Sequence, residues 1–171
     1  YLTNHEFYIN DKNLNYKSNL ELLWLGGLRP TEEKINEDIQ YSSGLISQAE
    51  EIESIRVSDP KKTINRTSYN GATEWTAIRS KYFIAALLSK SANTFATLSA
   101  KNINFGDREQ TPAYSTSIGC SLDQNSISAD IYLGPLDVDY ILKTESTLDS
   151  SMNWGWAIIR PISKGILWVL K

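Results

Sequence analysis

Cysteine and histidine each occur once in the 171 residues, as Cys120 and His5, and so does methionine. One cysteine forms no internal disulfide, so the fold has to rest on an apolar core. A metal site draws three or four ligands from His, Cys, Asp and Glu, and a lone His far from a lone Cys carries no ligand spacing; no metal and no cofactor is predicted. No nucleophile elbow, phosphate loop or dinucleotide fingerprint is present, which removes the usual signs of hydrolase, nucleotide or nicotinamide chemistry. Basic residues are not in surplus: 17 Lys and Arg against 20 Asp and Glu give a net charge of -3. That balance argues against the broad basic field used to bind nucleic acid. No run reaches the roughly 18 apolar residues of a membrane span, and the opening Tyr-Leu-Thr-Asn-His-Glu lacks the basic and apolar regions of a signal peptide.

What is present fits one globular domain: 41% of residues are apolar, and a chain of this size hides roughly 70% of its unfolded surface. Phe7 to Ile9 and Leu20 to Leu28 read as strands, the second bounded by Gly26-Gly27 and Pro30. Thr31 followed by Glu32 and Glu33, with Ile35 and Ile39 one turn apart, predicts a short helix to about Tyr41. Leu45 to Val57 mixes helix and strand signals. After a turn at Asp59-Pro60, a strand restarts near Thr63, and Asn70-Gly71 predicts a tight hairpin into Glu74–Ile78 and a buried strand Tyr82–Leu88. Thr94 to Ala100, Tyr114 to Leu122 and Ser126 to Leu133 alternate apolar with small polar residues at strand length. Successive short strands of this kind predict an all-β sandwich with short helices, one of them after Gly134-Pro135. Tyr1 opens without a start methionine beside a strand-like stretch, which predicts a piece of a longer protein, truncated on its N-terminal side.

The composition shifts beyond residue 152. Trp154, Trp156, Ile159, Ile162, Ile166, Trp168 and Val169 are joined there by three charges alone, Arg160, Lys164 and Lys171, all basic. At about 100° per residue these three fall within roughly 40° of one another, opposite Ile159, Ile162, Ile166 and Val169. Pro161 suits the first turn of such a helix. Two readings follow. The helix packs on its own domain, or it lies at lipid headgroup depth with lysine and arginine on anionic headgroups and indoles at the boundary. The predicted organisation is therefore a β-sandwich over 1–152 and an amphipathic interfacial helix over 153–171.

The remaining candidates for chemistry have structural explanations. Asp107, Asp137 and Asp139 lie in or near loops where a glycosidase would hold its acids, but loop aspartates more often cap helices, as Asp137 and Asp139 would after Gly134-Pro135. Cys120 sits in an alternating strand as a small core residue. His5 lies in a polar N-terminal stretch and reads as a solvated side chain.

Three segments, in order, resemble the large periplasmic domain of the YidC membrane protein insertases (YidC/Oxa/Alb family). Trp75 and the following Lys81-Tyr82-Phe83-Ile84 are similar to the family's tryptophan strand and next apolar strand. Tyr132-Leu133-Gly134-Pro135 is similar to its Tyr-x-Gly-Pro turn, with Leu136 in place of the usual lysine. Gly155-Trp156 through Arg160-Pro161-Ile162 is similar to its Gly-Trp, Pro and apolar helix. The resemblance implies a β-supersandwich, mutarotase-like in fold, on the periplasmic side of the bacterial inner membrane, leading into a transmembrane core absent from this sequence. It also implies a non-catalytic role in inserting and folding inner-membrane proteins, with the lipid surface, Sec translocon components and client membrane proteins as partners. The rival reading is a periplasmic carbohydrate-binding or mutarotase-like module, against which stands the single histidine, since the mutarotase pattern pairs a carboxylate base with histidine acids.

Overall fold

The computed structural model describes residues 1–10, 19–30, 35–49, 51–59, 62–92, 94–104, 111–121 and 126–152. Among the described residues there are ten strands: β1 (Leu2–Tyr8), β2 (Asn19–Trp24), β3 (Ser43–Gln48), β4 (Glu51–Ile55), β5 (Ile64–Asn70), β6 (Thr73–Arg79), β7 (Phe83–Ser89), β8 (Thr94–Ile103), β9 (Thr111–Ser121) and β10 (Ser126–Pro135). Helix α1 (Ile35–Tyr41) precedes β3, and after β10 come α2 (Val138–Ile141) and two 3-10 turns, Leu142–Thr144 and Thr147–Ser151. The strands form two antiparallel sheets, a six-stranded one in the order β1-β10-β7-β6-β3-β4 and a four-stranded one in the order β2-β9-β8-β5. The predicted all-β sandwich with short helices is what forms.

The two sheets differ in how they are covered, and the sequence carries the difference. On β6 and β7 successive residues are buried without alternation, the pattern of a strand covered on both faces. The inner face packs Ile46, Ile78, Leu87 and Ile127 against Leu98, Tyr114 and Ile118 of the smaller sheet. The outer face carries Leu45, Trp75, Ala77, Ile84, Ala86, Leu88 and Tyr132, and is capped by Ile141 and Leu148 with Leu136 and Met152 alongside. The four-stranded sheet alternates instead: Ala96, Leu98, Ile118 and Cys120 are in the core, whereas Thr97 bonds Ser117, which reaches Glu21 and through it Arg66.

Several local expectations are corrected. Asn70-Gly71 makes no hairpin, because β5 and β6 belong to different sheets. Gln48 Nε2 holds this crossing, donating to Tyr69 O, Gly71 O and Thr73 Oγ1 at 3.1, 3.1 and 2.8 Å, so a side chain replaces the ladder a hairpin would supply. The first strand covers Leu2–Tyr8 where the sequence predicts Phe7 to Ile9, because β10 supplies partners from Leu2 onward. The second stops at Trp24, since Gly26 and Gly27 take left-handed backbone (φ 86° and 71°) and Trp24 Nε1 donates to Gly27 O. The ambiguous 45–57 stretch is the hairpin β3–β4, with Ala49 left-handed (φ 49°) at its turn. Residues 31–34 of the predicted first helix and all of 153–171 lie outside the described residues.

Candidate functional site

The family-like residues converge on one end of the six-stranded sheet. β10 finishes there at Gly134-Pro135, β7 begins there at Phe83, and the register pairs Pro135 with Phe83 and Gly134 with Ile84. The β6–β7 turn is closed by Ser80, whose N–H donates to Phe83 O and whose Oγ accepts from Phe83 N. Tyr82 O then accepts from Leu136 N at 2.7 Å, tying this turn to the chain leaving β10. Tyr132 folds back over Gly134, its hydroxyl donating to Pro135 O at 2.9 Å. A Cβ at Gly134 would stand 2.9 Å from that hydroxyl oxygen, so any larger residue there would have to displace the phenol.

Trp75 has a different part. It is fully buried, and its Nε1 donates to Thr147 Oγ1 at 2.9 Å, while Thr147 donates to Glu74 at 2.6 Å and Glu74 accepts from Ser47. The last turn before residues 153–171 is thereby fastened to β6. Asp137 caps α2 by accepting from Asp139 N at 2.9 Å, the capping role expected of it.

The surface of this end is aromatic and apolar with lysines among the rings. Tyr82, Phe83, Leu133, Tyr140 and Leu142 are exposed. Lys81 Nζ lies 4.9 Å from the Tyr82 ring centroid and 5.9 Å from that of Tyr41, and pairs with Glu37 at 2.5 Å. Lys143 Nζ lies 5.0 Å from the Tyr140 ring. A cleft of about 470 Å³ opens beside them, lined by Tyr1, Tyr132, Pro135, Tyr140 and Lys143. Rings with lysine heads over them are suited to a boundary between apolar and aqueous phases, because the stems and rings lie on the apolar side while the ammonium stays hydrated.

Tyr82, Phe83, Gly134 and Pro135 are thus brought together, whereas Trp75 lies toward the other end of the same sheet, where its register partner is Leu88. Trp154, Trp156, Ile159, Arg160, Pro161, Ile162, Lys164, Ile166, Trp168, Val169 and Lys171 lie outside the described residues. Sequence reasoning missed Arg79, buried beside this end, although a charge closing the apolar strand Trp75–Ile78 was the signal for it. His5 sits on the edge strand β1, bonded to Thr3 Oγ1 at 3.0 Å and stacked on Phe7. Cys120 is in the core, and burial pushes its thiol up from the ordinary range. Among the described residues no group of three or more His, Cys, Asp or Glu is placed to hold a metal, and no helix is long and apolar enough to cross a membrane.

Residues 10–169 match the family model for the YidC periplasmic domain. The chain is similar to the membrane protein insertase YidC of Chloroherpeton thalassium, 24% identical over 152 residues that cover 86% of this chain and 26% of the relative. It is 27% identical over 152 residues to the YidC insertase of Prosthecochloris aestuarii, covering 86% and 25%. To that of Chlorobium phaeovibrioides it is 31% identical over 116 residues, covering 60% and 18%. The chain spans about a quarter of the length of the first two of these relatives.

Proposed function

The chain belongs to the YidC periplasmic domain family, and on that premise we propose that it serves as the periplasmic domain of a bacterial membrane protein insertase and chaperone. Its place is the periplasmic side of the inner membrane, where it assists the insertion and folding of client membrane proteins and meets Sec translocon components. The observation that carries this reading is the family match across nearly the whole chain, residues 10–169. The domain works by position and not by bond chemistry. The Trp75–Thr147–Glu74 chain of hydrogen bonds ties to β6 the last turn before residues 153–171.

Those residues form, in this reading, a helix lying in the membrane interface and leading toward a transmembrane core. Ile159, Ile162, Ile166 and Val169 enter the acyl boundary, Arg160, Lys164 and Lys171 meet headgroups, and Trp154, Trp156 and Trp168 flank them. Arg79, two residues before Lys81, holds Ser151 O just ahead of that departure, and in this reading the aromatic and lysine-bearing end around Tyr82, Phe83 and Tyr140 meets the same boundary. A graft tests the function: this chain replaces the corresponding domain in the insertase of a relative, in cells depleted of their own insertase. Restored growth and client insertion is the expected result; a graft that is stably made yet inserts no client overturns the reading.

A further inference from the structure

Arg79 closes β6 on the outer face of the six-stranded sheet, two residues beyond Ala77 and four beyond Trp75, both of which lie on that face. Its register partner is Ser43, two residues before Leu45 of the same face, so the two side chains stand next to each other. Arg79 is 5% exposed, Ser43 2% and Ser151 4%. The guanidinium donates from Nη1 to Ser151 O at 2.6 Å and from Nε to Tyr41 O at 3.5 Å, which are backbone carbonyls and carry no charge. Ser43 Oγ and Ser151 Oγ are buried without a hydrogen-bond partner among the described residues. Burial, above all, and the charge of Arg56 hold the Arg79 guanidinium below its ordinary range. On the neighbouring β6–β7 turn, Lys81 pairs with Glu37.

A buried cation held by uncharged carbonyls is unfavourable unless an anion offsets it, and two orphaned hydroxyls beside it are donors of the right kind. Guanidinium is planar, with five N–H donors in a fork that matches the oxygens of phosphate, and two of the five are used. We propose that Arg79, Ser43 and Ser151 form a binding site for a phosphate oxyanion, the guanidinium donating two further N–H bonds and each serine one O–H. The site lies at the end where β6 turns into Ser80–Tyr82, so inorganic phosphate and a phospholipid headgroup share the required chemistry. The inference stands apart from the insertase reading.

The test is thermal unfolding of the 171-residue chain in sodium phosphate against sodium chloride at equal ionic strength, with dihexanoyl phosphatidylglycerol below its micelle concentration as a second probe. Phosphate is expected to raise Tm saturably, by about 3–6 °C at ten times its half-saturating concentration. The rise should vanish in Arg79→Gln and need at least tenfold more phosphate in Ser43→Ala/Ser151→Ala, which keeps the guanidinium and both of its carbonyl bonds. A larger response to the lipid assigns the headgroup as the source, and an equal or smaller one assigns the free ion. Where Arg79→Gln does not fold, the serine pair decides. No saturable rise over chloride, or an equal rise in the serine variant, overturns the proposal.

Discussion

Trp75 Nε1 and Thr147 Oγ1, 72 residues apart in the chain, lie 2.9 Å apart across the outer face of the sheet. The indole fills that face while its one polar atom holds the turn from which the C-terminal segment departs.

Trp75→Ala should therefore cost about 3–5 kcal/mol, the range for a fully buried large side chain. Thr147→Val keeps the volume but leaves the indole N–H unpaired, and should cost about 1–3 kcal/mol. Urea unfolding of both variants measures this. A Thr147→Val variant as stable as the parent would show that the hydrogen bond does not matter.

Gly119 on β9 pairs with Phe95 on β8, and a Cβ placed on the glycine would stand 2.2 Å from the phenyl Cζ. Gly119→Ala is expected to destabilise by about 1–3 kcal/mol through overpacking. In Phe95→Ala the ring is gone, so adding Gly119→Ala to it should cost much less. Additive losses in the double-mutant cycle would contradict the contact.

Alkaline pH should weaken the fold. Burial pushes the Cys120 thiol above its ordinary value of about 8.5 and the Tyr114 phenol above about 10. For Tyr114, a hydrogen bond from Val57 N and the charge of Arg56 oppose that push without reversing it. The folded state then holds these protons more tightly than the unfolded chain. Their contribution is complete below the unfolded values and is lost as pH rises through about 8.5–10 and beyond. Unfolding midpoints from pH 7 to 10.5 should decline, and Cys120→Ala should remove the earlier part of the decline. A flat profile would rule out both groups as its source.

Anionic vesicles should bind the chain through residues 158–171. Each basic residue near such a surface contributes about 1 kcal/mol, so Arg160→Glu with Lys164→Glu should weaken cosedimentation by about 30-fold or more, and added salt should weaken it as well. Equal binding by the full chain and one lacking 158–171 would return the helix to the alternative, packing on its own domain.

Much of the fold was legible because strands write their burial into short-range pattern. The unalternating Trp75–Ile78 and Ile84–Leu88 runs announced buried strands, and Asp137 announced its cap. The family-like residues Tyr82, Phe83, Gly134 and Pro135 were picked out in two distant segments, and nothing in either segment stated that they would meet. That meeting is set by the pairing of β7 with β10, which places Phe83 opposite Pro135.

By itself the sequence determined the all-β class, the absence of an internal disulfide and the membership of residues 10–169 in their family. Composition and period-two pattern are local properties, so no partner strand is needed to read them. Only the tertiary structure decided that Asn70-Gly71 crosses between sheets, because Gln48, 22 residues earlier, supplies the hydrogen bonds a hairpin would have made. It alone buried Arg79 beside Ser43 and Ser151. Whether a charge at a strand end meets water or the next layer depends on what packs over that face, and here the covering turn comes from more than seventy residues further along the chain.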